Sequence, residues 1–163
     1  MSSAPSDFNE LLGELDYPML VVTAAGNGRQ AGCLVGFASQ CSIEPPRFMV
    51  WLSKKNYTYV VARETDVLGV HVLSTQNTEL ATLFGTLTGF TADKFSQCRW
   101  RTGPEGVPVL SDCPQWFVGE VLQRFDTGDH EGLLLQPAVV AKSPGAGQTG
   151  FQRVKSLKPG NEA

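Results

Sequence analysis

Short apolar segments alternate along this chain with residues that close tight turns. Residues 19–43 surround Asn27-Gly28 in this way, and an Asn-Gly pair between apolar segments is a strong signal for a hairpin. Residues 116–125 and 131–142 flank a second turn at Gly128-Asp129-His130. Because the predicted strands come mostly as antiparallel pairs, the pattern predicts a mainly β fold, a barrel with a few helices attached.

The other predicted elements are shorter and follow from the spacing of apolar residues. In chain order they are a helix at about 7–15, a strand at 47–53, a short helix at 56–64, a strand at 67–73 and a helix that begins at Thr75. Pro45 and Pro46 stand just before the strand at 47–53, since proline cannot sit inside a sheet ladder. Residues 90–114 are interrupted by Pro and Gly and predict irregular structure.

The length of the chain predicts one domain. With 163 residues it is long enough for a sizeable core and too short for two ordinary domains. We assign residues 1–142 to this domain, with an N-terminal helix inside residues 1–16. Residues 143–163 are polar and weakly patterned, which predicts a tail that is partly disordered or lies on the surface.

Composition argues against several classes of partner. A formal charge of −3 without a basic block argues against nucleic acid. The longest apolar runs, at 19–22 and 48–52, are too short to span a bilayer, and the first residues do not read as a secretory signal. The sequence therefore predicts a cytoplasmic protein. Charged residues make up 18%, against roughly 25% in typical soluble domains, which indicates that another subunit covers part of the surface.

The chemistry-bearing residues exclude some functions as well. Two histidines 59 positions apart, without a metal-binding pattern around them, argue against a metal site. The four cysteines show no CxxC spacing and are typical of small buried core residues. His71 lies on an apolar strand, and we interpret it as a buried structural histidine.

Residues 52–62 form a candidate phosphate site. A predicted strand ends here, Lys54, Lys55 and Asn56 follow, and Thr58 lies in the first turn of the next helix. Free N–H groups at a helix start, hydroxyl and amide donors, and two ammonium groups favour an anion. The alternative is an ordinary helix capped by Asn56 with solvated lysines, and the residues alone favour that alternative.

Gly32 and Gly36 lie inside an apolar strand over residues 32–43. Glycine in a strand interior often marks a place where a ligand or another backbone comes close. It can also mark a bulge that curves a barrel strand. Both interpretations are open at this point.

The order of these features resembles the flavin reductase-like family, whose fold is an FMN-binding split β-barrel. The resemblance covers roughly residues 14–142. It rests on Ser42-Ile43-Glu44-Pro45-Pro46, FMVWLSKKNYTY at 48–59, VLGVHVLSTQNTELATLFG at 67–85, KFSQCRWRTGPEGVPVL at 94–110, WFVGEVLQR at 116–124 and the triplet Gly128-Asp129-His130. Each piece is weak alone, whereas the collinear set is specific.

The resemblance implies a dimeric NAD(P)H-dependent flavin reductase that transfers a hydride from nicotinamide to FMN or FAD and can supply reduced flavin to a partner oxygenase. In this family the second strand runs along the flavin, here Leu34, Val35, Gly36 and Phe37. The segment after the third strand holds the phosphate, here Ser53, Lys54, Lys55, Asn56 and Thr58, so the resemblance reverses the preference for an ordinary capped helix. The triplet places His130 beside the flavin where nicotinamide docks, as the candidate catalytic residue.

The chain departs from the family pattern in its second strand. The family strand often reads Thr-x-Ser-Ser, whereas Leu34, Gly36 and Phe37 stand here without hydroxyls. A later family serine is replaced by Gln40, which we keep among the cofactor-binding candidates. Two alternatives to a reductase are a flavin-binding electron carrier with little reductase activity, and a split barrel that binds another cofactor such as a deazaflavin or haem.

Overall fold

A computed structural model describes residues 4–161, and its main element is a seven-stranded antiparallel sheet. The strands are β1 (Leu20–Gly26), β2 (Arg29–Val35), β3 (Ala38–Ser42), β4 (Arg47–Ser53), β5 (Val67–Val72), β6 (Trp100–Thr102), β7 (Pro108–Leu110), β8 (Trp116–Asp126) and β9 (His130–Ala141). The sheet order is β2-β1-β5-β8-β9-β4-β3, and β6 and β7 form a separate hairpin. The prediction of a mainly β fold is confirmed.

The helices are short and lie between or beside the strands. They are α1 (Ala4–Gly13), α2 (Tyr57–Ala62), α3 (Thr78–Thr86) and α4 (Phe151–Val154), with single 3-10 turns at Lys94–Gln97 and Pro104–Gly106. Within residues 4–161, no helix is long and apolar enough to cross a membrane. Residues 90–114 are more regular than predicted, because they contain both 3-10 turns and the β6–β7 hairpin.

Local side-chain bonds decide where two of the helices begin. The side chain of Asn56 accepts a hydrogen bond from Thr58 N (2.9 Å) and caps α2. The helix predicted to begin at Thr75 begins instead at Thr78. The reason is a turn before it, in which Asn77 Oδ1 accepts hydrogen bonds from both the backbone N and the hydroxyl of Ser74.

Both predicted hairpins form. Asn27 and Gly28 have φ angles of 50° and 75°, as a turn with two left-handed residues requires, and the flanking Gly26 and Arg29 pair directly. The β8–β9 hairpin turns through Gly128, whose φ of 131° favours glycine. These are the places where local sequence chemistry decides the structure.

The apolar strand predicted over residues 32–43 breaks at Gly36 and Phe37 into β2 and β3. A Cβ atom on Gly36 would lie 2.5 Å from the ring of Tyr17, and one on Gly32 would lie 2.7 Å from the ring of Phe84. Aromatic side chains of the chain itself therefore take the space on the Cβ side of these glycines. Because β2 and β3 are the two outer strands of the sheet, this break is where the edges of the barrel meet.

Two apolar cores lie on opposite faces of the sheet. Neighbouring residues of a strand point to opposite faces, and along β1 the alternate residues Val22 and Val21 belong to different cores. Val22 packs with the buried residues of β4, β5 and β9. Val21 packs with Phe84 of α3, Leu110 of β7 and Val154 of α4.

The C-terminal segment joins the second core. Thr149 N donates to Leu73 O (2.8 Å), and Met19 N donates to Thr149 O (2.8 Å). Phe151 stacks on Tyr17 at a centroid distance of 4.7 Å, and Val154 is buried. Residues 148–154 are thus held by the domain, more firmly than their polar sequence predicts, while the division of the chain at residue 142 stays a prediction.

Candidate functional site

A cleft opens where the two edges of the barrel meet. Its volume is about 310 Å³, and a second cavity of about 290 Å³ continues from it along α3 and the C-terminal segment. The residues that border both cavities are Met19, Leu34, Ser53, Asn56, Phe151 and Pro159. The two cavities therefore form one elongated cleft of the size that small-molecule ligands occupy.

The cleft brings together candidates from three separate segments of the chain. They come from the end of β2, from the end of β4 with the start of α2, and from the start of β9. The candidates that border the cleft are Leu34, Val35, Gly36, Phe37, Ser53, Asn56 and His130. Two backbone relations explain the arrangement: Trp51 N donates to Phe37 O (2.9 Å), and Ser53 stands opposite His130 in the pairing of β4 with β9.

The other four candidates do not border the cleft. Gln40 is exposed on β3, where its amide donates to Ser42 O (3.3 Å), and it borders a separate cavity of about 340 Å³. The ammonium of Lys54 donates to Asp126 Oδ1 (2.6 Å). Lys55 is exposed, and its backbone N donates to the hydroxyl of Ser53 (3.3 Å).

Thr58, the fourth of these, lies behind the wall of the cleft and is 1% exposed. Its Oγ1 atom is buried and has no hydrogen-bond partner within the described residues. Thr58 lies beside Cys33, which borders the cleft; burial raises the pKa of the Cys33 thiol, and the Thr58 hydroxyl and the Lys94 ammonium oppose that rise. Thr58 therefore lies one layer behind the residues that line the cleft, beside the Cys33 thiol, and its contact with a bound phosphate stays a prediction.

His130 borders the mouth of the cleft in a defined orientation. Its Nδ1 lies 2.7 Å from Asp129 Oδ1, and because an ionised carboxylate only accepts, Nδ1 carries the proton. This hydrogen bond also holds the pKa of Asp129 below its usual range. In the neutral ring, Nε2 is then the nitrogen that can accept a hydrogen bond. The imidazole lies against Phe37, with the ring centroids 4.9 Å apart and the planes tilted by 43°.

The chemistry of the lining suits a flat aromatic group with an anionic tail. Side chains such as Leu34, Trp51 and Phe151 make most of the wall apolar or aromatic. Ser53 and Asn56 supply polar groups at the end of the first cavity, where it joins the second, beside the first turn of α2. An isoalloxazine ring with a ribityl phosphate has this division, so the residues present fit a flavin even though Leu34, Gly36 and Phe37 lack hydroxyls.

Metal chemistry has no site in the described part of the chain. Among residues 4–161, no group of three or more His, Cys, Asp or Glu side chains is placed to hold a metal ion.

Several cleft residues were not identified from the sequence. Trp51 shares its face of β4 with Ser53, so the two-residue period of the strand could have indicated it. Tyr17, Phe151 and Pro159 also border the cleft. They come from segments with weak patterning, and no local signal places them there.

Comparison with known proteins identifies the family. Residues 12–144 match the flavin reductase like domain. Because this match covers most of the 163 residues, the chain belongs to the flavin reductase-like family.

Individual relatives agree with this assignment. The FMN reductase (NADH) RutF of Yersinia enterocolitica is 29% identical over 134 residues, which are 82% of this chain and 73% of that protein. The NADH:FAD oxidoreductase of Streptomyces globisporus C-1027 has a similar structure, with a TM-score of 0.81 at 19% identity over 92% of this chain and 90% of that one.

A protein of Sinorhizobium meliloti 1021 also matches, with a TM-score of 0.81 at 24% identity over 91% of this chain. The chain spans 51% of the length of that protein. The similar structures are flavin reductase split barrels, so the predicted split-barrel fold is confirmed.

Proposed function

We propose that this protein is an NAD(P)H-dependent flavin reductase that binds FMN, or alternatively FAD, in the cleft. A bound flavin supplies the chemistry, since its ring accepts a hydride from the nicotinamide of NADH or NADPH. The observation that carries the proposal is the meeting of β2, the β4–α2 segment and His130 around one apolar cleft with a polar end. That the related RutF protein is named an FMN reductase (NADH) supports FMN and NADH as the first choices.

The polar end of the cleft holds the flavin phosphate in this proposal. Ser53 and Asn56 border the space, and the buried Thr58 hydroxyl lacks a partner. The first turn of α2 adds the positive end of its dipole. Lys54 and Lys55 lie just before α2 and contribute positive charge that attracts an anion to this end of the cleft.

The apolar part of the cleft holds the ring system. Val35, Gly36 and Phe37 border this part at the break between β2 and β3, where Gly36 lies outside both ladders and its backbone groups can meet the ring. Trp51 and Leu34 supply apolar surface. The protein thereby orients the ring and excludes water, which are the main contributions that hydride transfer asks of it.

His130 positions the nicotinamide in this proposal. With Nδ1 donating to Asp129, a neutral imidazole presents Nε2 as an acceptor, which suits the N–H of the nicotinamide carboxamide. The protonated ring presents Nε2–H as a donor instead, which suits a pyrophosphate oxygen.

We also propose that the protein is a homodimer. Helix α1 has no buried residue, and its apolar Phe8 and Leu11 are 58% and 61% exposed. Val140 on β9 is 60% exposed. Exposed apolar side chains of this kind support a second copy as their cover. Light scattering should give about twice the chain mass of 17.6 kDa, whereas a mass near 17.6 kDa at micromolar concentration contradicts the dimer.

Cytoplasmic localisation and delivery of reduced flavin to a partner oxygenase complete the proposal. The cysteines at 33, 41, 98 and 113 are free thiols, which persist in reducing compartments. The mouth of the cleft is open, with Phe37 51% exposed. An open mouth supports exchange of flavin with a partner.

The test combines flavin titration with steady-state kinetics. The apoprotein is titrated with FMN and with FAD by fluorescence, and oxidation of NADH and NADPH is then followed with each flavin present. Saturable flavin binding together with nicotinamide oxidation supports a reductase. Flavin binding without oxidation supports an electron carrier, and absence of flavin binding contradicts the proposal. The absorbance spectrum of the purified protein distinguishes flavin from deazaflavin or haem.

A further inference from the structure

The candidate phosphate segment and the histidine hairpin form one structural unit. Ser53 and His130 are direct partners across β4 and β9. The next residue, Lys54, donates its backbone N–H to Asp129 O (2.9 Å). A displacement of the segment that begins α2 is therefore transmitted to the turn that carries the imidazole.

A side-chain contact repeats this link on the outside of the unit. Lys54 Nζ donates to Asp126 Oδ1 (2.6 Å), and the same carboxylate oxygen accepts from Gly128 N (3.1 Å). The Asp126 side chain is 76% exposed and that of Lys54 33% exposed. An ion pair this exposed contributes little to stability. The ion pair links the segment proposed to contact the flavin phosphate with the turn proposed to contact the nicotinamide, so it can position these two segments.

The Lys54 ammonium has more donors than Asp126 occupies. It has three N–H donors, and Asp126 is the one hydrogen-bond partner of Nζ recorded within residues 4–161. Lys54 lies between Ser53, which borders the cleft, and Asn56, which borders it too. Lys54 itself does not border the cleft, so its ammonium, which Asp126 already holds, acts on a phosphate beside Ser53 and Asn56 through its electric field and not by direct contact.

We propose that Asp126 is a positioning residue that couples occupancy of the phosphate end to the turn carrying His130. It draws the Lys54 ammonium toward the hairpin, which weakens the attraction of Lys54 for phosphate, and it fixes the Gly128 turn through the same oxygen. The protein thereby gives up part of its affinity for phosphorylated flavin in exchange for a fixed imidazole. This inference rests on the proposed reductase function.

Two variants separate the two contacts of Asp126. Asp126→Asn removes the charge that holds Lys54 but keeps an oxygen for Gly128 N, whereas Asp126→Ala removes both. We expect both variants to bind FMN about threefold more tightly, with riboflavin affinity unchanged because riboflavin has no phosphate. At saturating FMN, we expect kcat for NADH oxidation to stay near the wild-type value in Asp126→Asn. In Asp126→Ala we expect it to fall about fivefold, since a misplaced group costs rate.

Asp112 provides the matched control. It forms an exposed ion pair with Arg99 that does not border the cleft, so Asp112→Ala should change neither flavin affinity nor kcat. A general structural role for Asp126 would weaken FMN and riboflavin alike.

Three results overturn the inference. They are Asp126 variants that behave like Asp112→Ala, equal changes for FMN and riboflavin, and an unchanged kcat in Asp126→Ala. If any of these results is obtained while the wild-type protein binds FMN and oxidises NADH, the coupling is refuted and the reductase function is not. A wild-type protein that binds no FMN refutes both.

Discussion

The two histidines of this chain occupy opposite environments. His71 lies near the end of β5 and is fully buried. Its Nδ1 donates to Val21 O (3.1 Å) and its Nε2 accepts from Leu110 N (3.1 Å), so one neutral ring joins β5 to β1 and β7. His130 lies at the mouth of the cleft, with one nitrogen on the exposed Asp129 and the other without a fixed role in the fold.

The polar groups around the two histidine rings differ in how fully they are hydrogen-bonded. Both nitrogens of His71 are paired, as buried polar groups usually are. Near the β8–β9 hairpin and α2, the buried Thr58 Oγ1 lacks a hydrogen-bond partner among the described residues, while the buried Arg124 Nη1 and Glu131 Oε1 face each other as an ion pair at 3.6 Å. Proteins break local rules of this kind mostly at functional sites. The His71 ring is therefore paired as a structural group, and the region around His130 is the one that we propose binds ligand.

Truncation of His71 should have the largest effect on folding. In His71→Ala, Leu110 N–H loses its partner and a cavity remains between the strands, so we expect a loss of about 3–5 kcal/mol in the free energy of unfolding. Urea denaturation measures this quantity. His130→Ala is the matched control and should lose less than about 1 kcal/mol. Equal losses in the two variants would remove the distinction between the regions.

The pH dependence of stability should carry the signature of His71 as well. Burial lowers the pKa of His71 from 6.5 to about 4, and its hydrogen bond to Val21 O opposes this only in part. The unfolded chain therefore takes up the proton at higher pH than the folded chain. The stabilisation is fully present above pH 6.5 and is lost as the pH falls through 4, and it amounts to about 3 kcal/mol.

Unfolding of the wild type and of a His71→Leu variant over this pH range tests that expectation. Carboxylates titrate there too, so the informative quantity is the difference between the two proteins. That difference should shrink as the pH falls from 6.5 toward 4. A constant difference would mean that the pKa of His71 is the same in the folded and the unfolded chain.

Replacement of Thr58 should separate binding from stability. Thr58→Val keeps the shape of a side chain whose hydroxyl has no partner, so the free energy of unfolding should not fall. FMN binding should weaken by about 1–3 kcal/mol, the cost of losing a hydrogen bond to a charged group. Titration with riboflavin is the control and should show no change. Equal losses for FMN and riboflavin would show that Thr58 does not meet the phosphate.

The fold was predictable where the information is local. The hairpin at Asn27-Gly28 and the turn at Gly128 follow from residues that favour left-handed backbone. The break at Gly36 was not predictable, because it depends on the ring of Tyr17, which arrives from another segment. The anchoring of Thr149 likewise depends on bonds to Leu73 and Ser74 that span more than 70 positions.

The candidate site, like the fold, was predictable from the sequence only in part. Its three segments could be identified from the order of motifs, and the structure brings seven of their residues to one cleft. Gln40 lies outside the cleft because β3 runs on past the break and pairs Gln40 with Phe48, five residues before Ser53 on β4. The pairing of Lys54 with Asp126 joins residues 72 positions apart, and no pattern along the chain indicates it.

The most direct test of a binding role for the His130 region is the steady-state kinetics of His130→Ala. We expect kcat/KM for NADH to fall about 10-fold, or about 1.4 kcal/mol of transition-state stabilisation. FMN affinity should stay within about threefold and the urea midpoint should not move, because the ring contacts neither core. A variant that loses flavin would assign His130 to cofactor retention instead. Unchanged kcat/KM for NADH in a variant that still binds FMN would contradict the account.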